Sequence, residues 1–287
     1  MPSRTQEFPV VGPDLGLVTG VPFHAIPDKG WSAALNMRYR LGNAQKVPGF
    51  VKVQAAALDS AIMGLYNYTT TTGWNFWIAA TLHKVYKMGP NDAAFVDISG
   101  GNDLGGVTNL DLVSMATYKD QLIITNGRTA PWQATVDGSG NISNISALGG
   151  SPPKAKGVTV FQNHVVLWDI NPYDASPSHQ TFQWSDLGSS TTWTPSSSNE
   201  AGSLALVDEP SKVLTCVRMR DSLMVYKKDA VYLVDYTGFP FTMSERRLMS
   251  GAGPVNQWAV VNVKDAHYIL STDKNVYKLT LFGPEDV

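Results

Sequence analysis

From residue 62 onward the chain is built of short apolar runs separated by polar turn signals, and the arrangement repeats. A strand-like run, a two-residue polar turn, a more apolar run, another turn and a run bearing an aromatic recur five times. The second copy shows the plan: residues 113–118, the turn Lys119-Asp120, then Gln121-Leu122-Ile123-Ile124-Thr125, the turn Asn126-Gly127, and 131–136 around Trp132. The others fall at 62–88, 158–184, 213–234 and 258–279, with Gln162-Asn163, Arg220-Asp221 and Lys264-Asp265 at the place of Lys119-Asp120. The third carries an insertion at 171–179.

A period of about 45 residues holding three or four short strands is what one blade of a β-propeller requires, because each small sheet buries its faces only against the next. The expectation is an all-β, β-propeller-like domain over 31–287, with about six small antiparallel blades. The sixth comes from an amino-terminal hairpin, 36–40 and 44–47 about Leu41-Gly42-Asn43, which can complete the last sheet. A two-sheet sandwich with coincident spacing is the alternative.

Residues 1–30 break the pattern. Pro2, Pro9, Pro13, Pro22 and Pro27 alternate with Gly12, Gly16, Gly20 and Gly30, which prevents regular helix and interrupts strand pairing. The segment reads as an extended arm, and its apolar residues Val10, Val11, Leu15 and Phe23 need cover from the chain's own body or a neighbouring subunit.

Composition agrees with the strand pattern. Of 287 residues 43% are hydrophobic and only 16% charged, with 25 Gly and 17 Pro, a poor match to solvated helix faces. The 22 Lys and Arg against 24 Asp and Glu give a net charge of -2, which supplies no basic field for a nucleic-acid backbone. One cysteine, Cys216, allows no internal disulfide and suits synthesis in a reducing cytoplasm. Residues 1–7 lack an apolar signal core, and no apolar stretch is long enough for membrane insertion.

Candidate chemistry is sparse. His24, His83, His164, His179 and His267 are scattered without metal-ligand spacing, and neither a phosphate loop nor a nucleophile elbow is present. Asp120, Asp221 and Asp265 occupy turns, where Asp bonds its own backbone. The expectation is no catalytic residue, no metal and no cofactor. One string, Trp184-Ser185-Asp186-Leu187-Gly188 with Thr191-Thr192-Trp193, resembles a degenerate aspartate box of sialidase-type propellers and sustains the alternative of a glycan-binding or glycan-cleaving protein of tailspike or lectin type.

A further resemblance is carried by the string from Trp31-Ser32-Ala33-Ala34-Leu35-Asn36 through Met37-Arg38-Tyr39-Arg40 to Lys46-Val47-Pro48-Gly49-Phe50. It is also carried by Gln183-Trp184-Ser185-Asp186, Asn199-Glu200-Ala201-Gly202 and Phe239-Pro240-Phe241. Together they resemble the tail hub or nozzle proteins of short-tailed bacteriophages, the tail tubular and stabilisation family. The resemblance implies a non-enzymatic virion protein, in a ring of six copies below the portal and adaptor proteins, in reach of tail fibres, with DNA passing through the lumen without specific binding. The long polar segments 171–179 and 189–198 are the loops expected to meet partners, with Tyr173 and Trp193 as candidate contacts.

Overall fold

A computed structural model describes residues 15–18, 21–27, 29–40, 43–47, 49 and 51–285. The chain divides into two compact units, Met1–Ala55 and Ala56–Val287, a later division than the one expected after residue 30.

In the first unit, β1 (Gly16–Leu17) pairs in parallel with β2 (Gly30–Trp31), and a single 3₁₀ turn, Phe23–Ala25, lies between them. The described part of the arm therefore bends back on itself instead of running extended. Glycine and proline leave room only for such short pieces. The expected hairpin is present as β3 (Met37–Arg40) and β4 (Asn43–Lys46), registered Arg40 to Asn43.

The second unit is all-β and propeller-like. Its described residues form five four-stranded antiparallel sheets, each laid out in chain order. Blade one is β5 (Gly64–Thr69), β6 (Asn75–Ala80), β7 (Val85–Met88) and β8 (Val96–Asp97). Blade two is β9 (Ser114–Tyr118), β10 (Gln121–Thr125), β11 (Trp132–Thr135) and β12 (Ser146–Ala147). Blade three is β13 (Ala155–Phe161), β14 (His164–Ile170), β15 (Ser178–Trp184) and β16 (Gly202–Ala205). Blade four is β17 (Val213–Met219), β18 (Ser222–Lys227), β19 (Ala230–Gly238) and β20 (Thr242–Ser250). Blade five is β21 (Val260–Val263), β22 (Ala266–Leu270), β23 (Val276–Thr280) and β24 (Gly283–Glu285).

The hairpin does not complete the last sheet. Blade five draws all its strands from the carboxy-terminal end, and β3–β4 stands as a separate two-stranded sheet. The described four-stranded blades thus number five where the sequence pattern gave about six.

The polar pairs fold as hairpin turns of the primed kind. Lys119 and Asp120 have φ of 45° and 62°, Gln162 and Asn163 of 44° and 63°, and Arg220 and Lys264 open their turns at 53° and 54°. Asp120 and Asn163 are of the types that tolerate that left-handed backbone, and the twist of such turns matches the twist of the strands they join.

Four apolar clusters lie between consecutive blades. Ile78 and Phe76 meet Leu122 and Ile124 between blades one and two. Tyr118 and Ile123 meet Val158 and Val165 between two and three. Val166 and Phe182 meet Cys216 and Val225 between three and four, and Met224 and Leu233 meet Ile269 and Leu279 between four and five. Strands flanked on both sides are buried throughout, as in His164–Ile170 and Ser222–Lys227. Blade one instead alternates, with Leu65, Asn67 and Thr69 exposed on one face of β5.

Polar contacts follow the same seams. The Tyr68 phenol donates to the carbonyl of Asp120, and the Gln162 side-chain amide donates to that of Asp221 at 3.3 Å. Arg220 Nε reaches the Asp265 carboxylate at 2.9 Å. The acceptors are the turn residues that the repeat placed in register, so their role is to join blades.

Candidate functional site

First strands of blades one to four, with Gln257 and Trp258 ahead of blade five, surround an axial cavity of about 260 Å³ whose walls include Leu65, Met115, Val158 and Cys216. It is narrow and mostly apolar. Burial pushes the Cys216 thiol well above its ordinary value, which leaves no reactive thiolate there.

Of the candidate contacts, Val10 and Val11 lie outside the described residues, as does the side chain of Phe23, whose backbone opens the 3₁₀ turn. Leu15 is exposed. Trp193 is not an exposed anchor: only 3% of it is accessible, its indole N–H donates to the Ser190 carbonyl at 2.9 Å, and it packs into the cluster between blades two and three. An indole this large in a polar loop is held by its own turn and the adjacent apolar seam.

The aspartate-box-like string is likewise structural. Asp186 Oδ1 accepts from the Leu187 and Glu200 N–H groups, both at 2.8 Å. Trp184 is buried with its indole N–H on the Glu200 carbonyl at 2.6 Å and its ring against Gly202 of the neighbouring strand, where a Cβ would stand 2.5 Å from Cζ2. No sugar platform is exposed by these residues.

Two surfaces are less readily explained by packing alone. The first is the outer face of blade five. Val261 pairs with Tyr268 and Leu270 with Val276, which places all four on the face turned away from blade four. Val261, Val263, Leu270 and Val276 remain 46 to 56% exposed. At the other end of the series, Leu65 and Trp77 are exposed on the face of blade one turned away from blade two. Among the described residues no buried cluster joins blade five to blade one. The string Phe239-Pro240-Phe241 forms the β19–β20 tip, and both its phenylalanines are exposed.

The second surface is the mouth at the end where first strands begin and second strands end. A cavity of about 520 Å³ opens there, lined from blade three by Lys156, Asp169, Tyr173 and His179, from blade four by Lys212 and Lys228, and by Asn256 and Gln257 before blade five. The insertion at 171–179 supplies Tyr173 and His179, so the one irregular blade furnishes part of the mouth.

Beneath it lies a charge network. The buried Asp111 carboxylate accepts from the N–H groups of Val107 at 2.8 Å and Thr108 at 3.0 Å and from the Tyr173 hydroxyl at 2.7 Å, with Arg128 Nε at 3.1 Å. Burial works to raise this carboxyl, but the hydrogen bonds and Arg128 outweigh it and hold it well below the usual range. The Arg128 guanidinium lies 3.6 Å from the Tyr173 ring centroid. Burial, together with the bond to Asp111, pushes the Tyr173 phenol up to about 12. Lys156 donates to the Leu110 carbonyl at 3.1 Å and the Tyr173 oxygen at 2.9 Å, and burial draws its ammonium below the ordinary range against the pull of Asp111 and Asp169.

Asp169 is raised by burial, opposed by His179, whose Nδ1 lies 2.6 Å from Oδ1. A carboxylate acceptor fixes Nδ1 as the protonated nitrogen and leaves Nε2 as the other ring position. Sequence order separates Asp111, Arg128, Lys156 and Tyr173 across two blades, and no local motif marks them. Among the described residues no three His, Cys, Asp or Glu side chains gather as a metal centre, and no helix is long and apolar enough to cross a membrane.

No protein-family model matches the chain, and no curated protein matches it. Among solved structures it is similar to a functionally unknown protein from Desulfotomaculum acetoxidans DSM 771, with 12% identity over 87% of this chain and 76% of that one and a TM-score of 0.52. A streptogramin B lyase aligns with 12% identity over 80% of this chain and 71% of that one, TM-score 0.45. The AfRom2 CNH domain aligns with 9% identity over 85% and 76%, TM-score 0.43. At such identities the likeness concerns fold alone.

Proposed function

We propose that the chain is a structural subunit of a short-tailed phage tail, of the hub or nozzle kind, which assembles with copies of itself into a ring. The observation that carries this reading is the apolar face of blade five, Val261, Val263, Leu270 and Val276, standing half in water. Covering the exposed half of each side chain is worth about 1 kcal/mol, roughly 4 kcal/mol in all, against the 5–15 kcal/mol that holds an average domain together. Covering these side chains against a second copy is the gain the reading relies on.

Blade one offers a second exposed apolar residue, Trp77, on its face turned away from blade two at the opposite end of the blade series. Two different faces on one chain make head-to-tail contacts, which close into rings when the rotation permits. The axial cavity of about 260 Å³ cannot admit a DNA duplex, so any passage for DNA lies between copies. Portal and adaptor proteins and tail fibres are the neighbours that such a ring meets.

Sedimentation velocity on the purified chain and on Val261→Lys/Leu270→Lys tests the reading. The expected result is a defined multi-copy species for the natural chain and a folded monomer for the double variant. A natural chain that stays monomeric across concentrations, or a double variant that assembles unchanged, overturns it.

A further inference from the structure

We propose that the mouth cavity binds the phosphate group of a small phosphate monoester, held by Lys212, Lys228 and His179. The site stands apart from the apolar face of blade five and does not depend on ring formation.

Shape is the first argument. A concave volume of about 520 Å³ falls in the range that encloses a small ligand, and Leu110, Leu112 and Val255 give it apolar walls beside the polar groups.

Charge is the second. Three ammonium groups line the cavity against a single carboxylate, Asp169, in a chain whose net charge is -2. Lys84, Lys87, Lys154 and Lys278 each sit within 2.8 Å of a carboxylate. Lys212 and Lys228 make no such ion pair among the described residues, and both are exposed, so their ammonium groups are available to a ligand. Lys156 is committed to Leu110 and Tyr173 and contributes potential to the wall, not a contact.

His179 supplies a directional partner. With Nδ1 donating to Asp169 the ring is oriented, and in the imidazolium form Nε2–H is the donor left to meet a phosphate oxygen. No guanidinium fork lines the cavity, and the nearby Arg128 is spent on Asp111. Point-charge ammonium groups with one imidazole suit a tetrahedral dianion better than a planar carboxylate, which Arg matches by two parallel bonds. The cations are confined to a cavity instead of spread along a groove, which favours a small molecule over a nucleic-acid backbone.

Calorimetric titration of the full chain with glucose 6-phosphate, glucose, inorganic phosphate and a single-stranded oligonucleotide tests the site. The expected outcome is binding of glucose 6-phosphate, competition by inorganic phosphate and none by glucose. Lys212→Ala/Lys228→Ala should weaken the binding about tenfold or more, since each charge-assisted contact is lost outright. Both lysines are exposed, so an unchanged urea midpoint shows the variant folded, and His179→Ala provides an independent second reduction. Absence of binding by either phosphate probe, equal affinity in the lysine variant, or binding confined to the oligonucleotide overturns the proposal.

Discussion

The Tyr118 phenol donates to the main-chain carbonyl of Asn163 at 3.1 Å, tying the end of one blade's first strand to the first turn of the next. Tyr68 makes the same bond to Asp120, one blade earlier. The turn residue bends its own hairpin and presents a carbonyl to the preceding blade, so one position serves both local and tertiary structure. Burial raises both phenols above their ordinary values, the first-named cause in each case. Tyr118→Phe is expected to lose about 1 kcal/mol in urea unfolding, the net worth of one hydrogen bond, with no change in the slope of the transition.

A larger effect is expected at Gly157. It pairs with Trp168 on the adjacent strand, and a Cβ there would stand 2.1 Å from Cζ2 of the indole. The ring must leave its place to admit even one methyl group. Gly157→Ala should cost about 1–3 kcal/mol by overpacking, read as a lowered urea midpoint and altered tryptophan fluorescence.

These two sites mark what the sequence could and could not say. The turn pairs and the first three strands of each blade were legible because polar pairs, left-handed-tolerant Asn and Asp, and apolar alternation coincide there. The fourth strands Val96–Asp97 and Ser146–Ala147 were not, because an outer edge of two exposed residues has no pattern to read. Trp193 misled for a related reason: a polar loop surrounds it in sequence, while an apolar seam surrounds it in space. The mouth was half legible, since the insertion was visible but Asp111 and Arg128, on another blade, gave no local sign of joining Tyr173.

His267 provides a pH test. Its Nε2 lies 3.2 Å from the Arg218 carbonyl, which can only accept, so Nε2 carries the proton and Nδ1 accepts from the Tyr226 hydroxyl at 2.7 Å. Burial holds this imidazole below its ordinary value, with the Arg218 bond opposing. The folded state therefore favours the neutral ring, and the unfolded state gains a proton first as pH falls below about 6.5. Stability contributed by the neutral ring is present above that pH and declines beneath it. Urea midpoints measured near pH 7.5 and near pH 5.5 should fall in the natural chain, with a smaller fall in His267→Gln.

Asp111 acts in a lower window. Its depressed folded value means that its contribution is present above the unfolded value of about 3.9 and is lost as pH drops toward the folded one. Asp111→Asn leaves Arg128 facing an uncharged partner in a part-buried site, and a loss of about 3 kcal/mol at neutral pH is expected from urea unfolding. The acid limb of the stability curve should flatten in the same variant.

Cys216 is a reporter of opening. Buried at the seam of blades three and four, it should resist a thiol reagent in native buffer and react at once in denaturant. Labelling at the rate of a free thiol under native conditions would contradict its placement.

Four clusters connecting five sheets also have a kinetic meaning. A circle sealed at every seam has no end at which to begin unfolding, whereas a circle with one seam lacking a buried cluster has two, and an end blade shares such a cluster with a single neighbour. Blade five, with its other face wet, is the member that should fray first, and its amides should exchange with solvent faster than those of Ser222–Lys227, which lie between two neighbours. Opening would then advance inward one sheet at a time, like a zip, and a partner seated on Val261 and Leu270 would lock the slider.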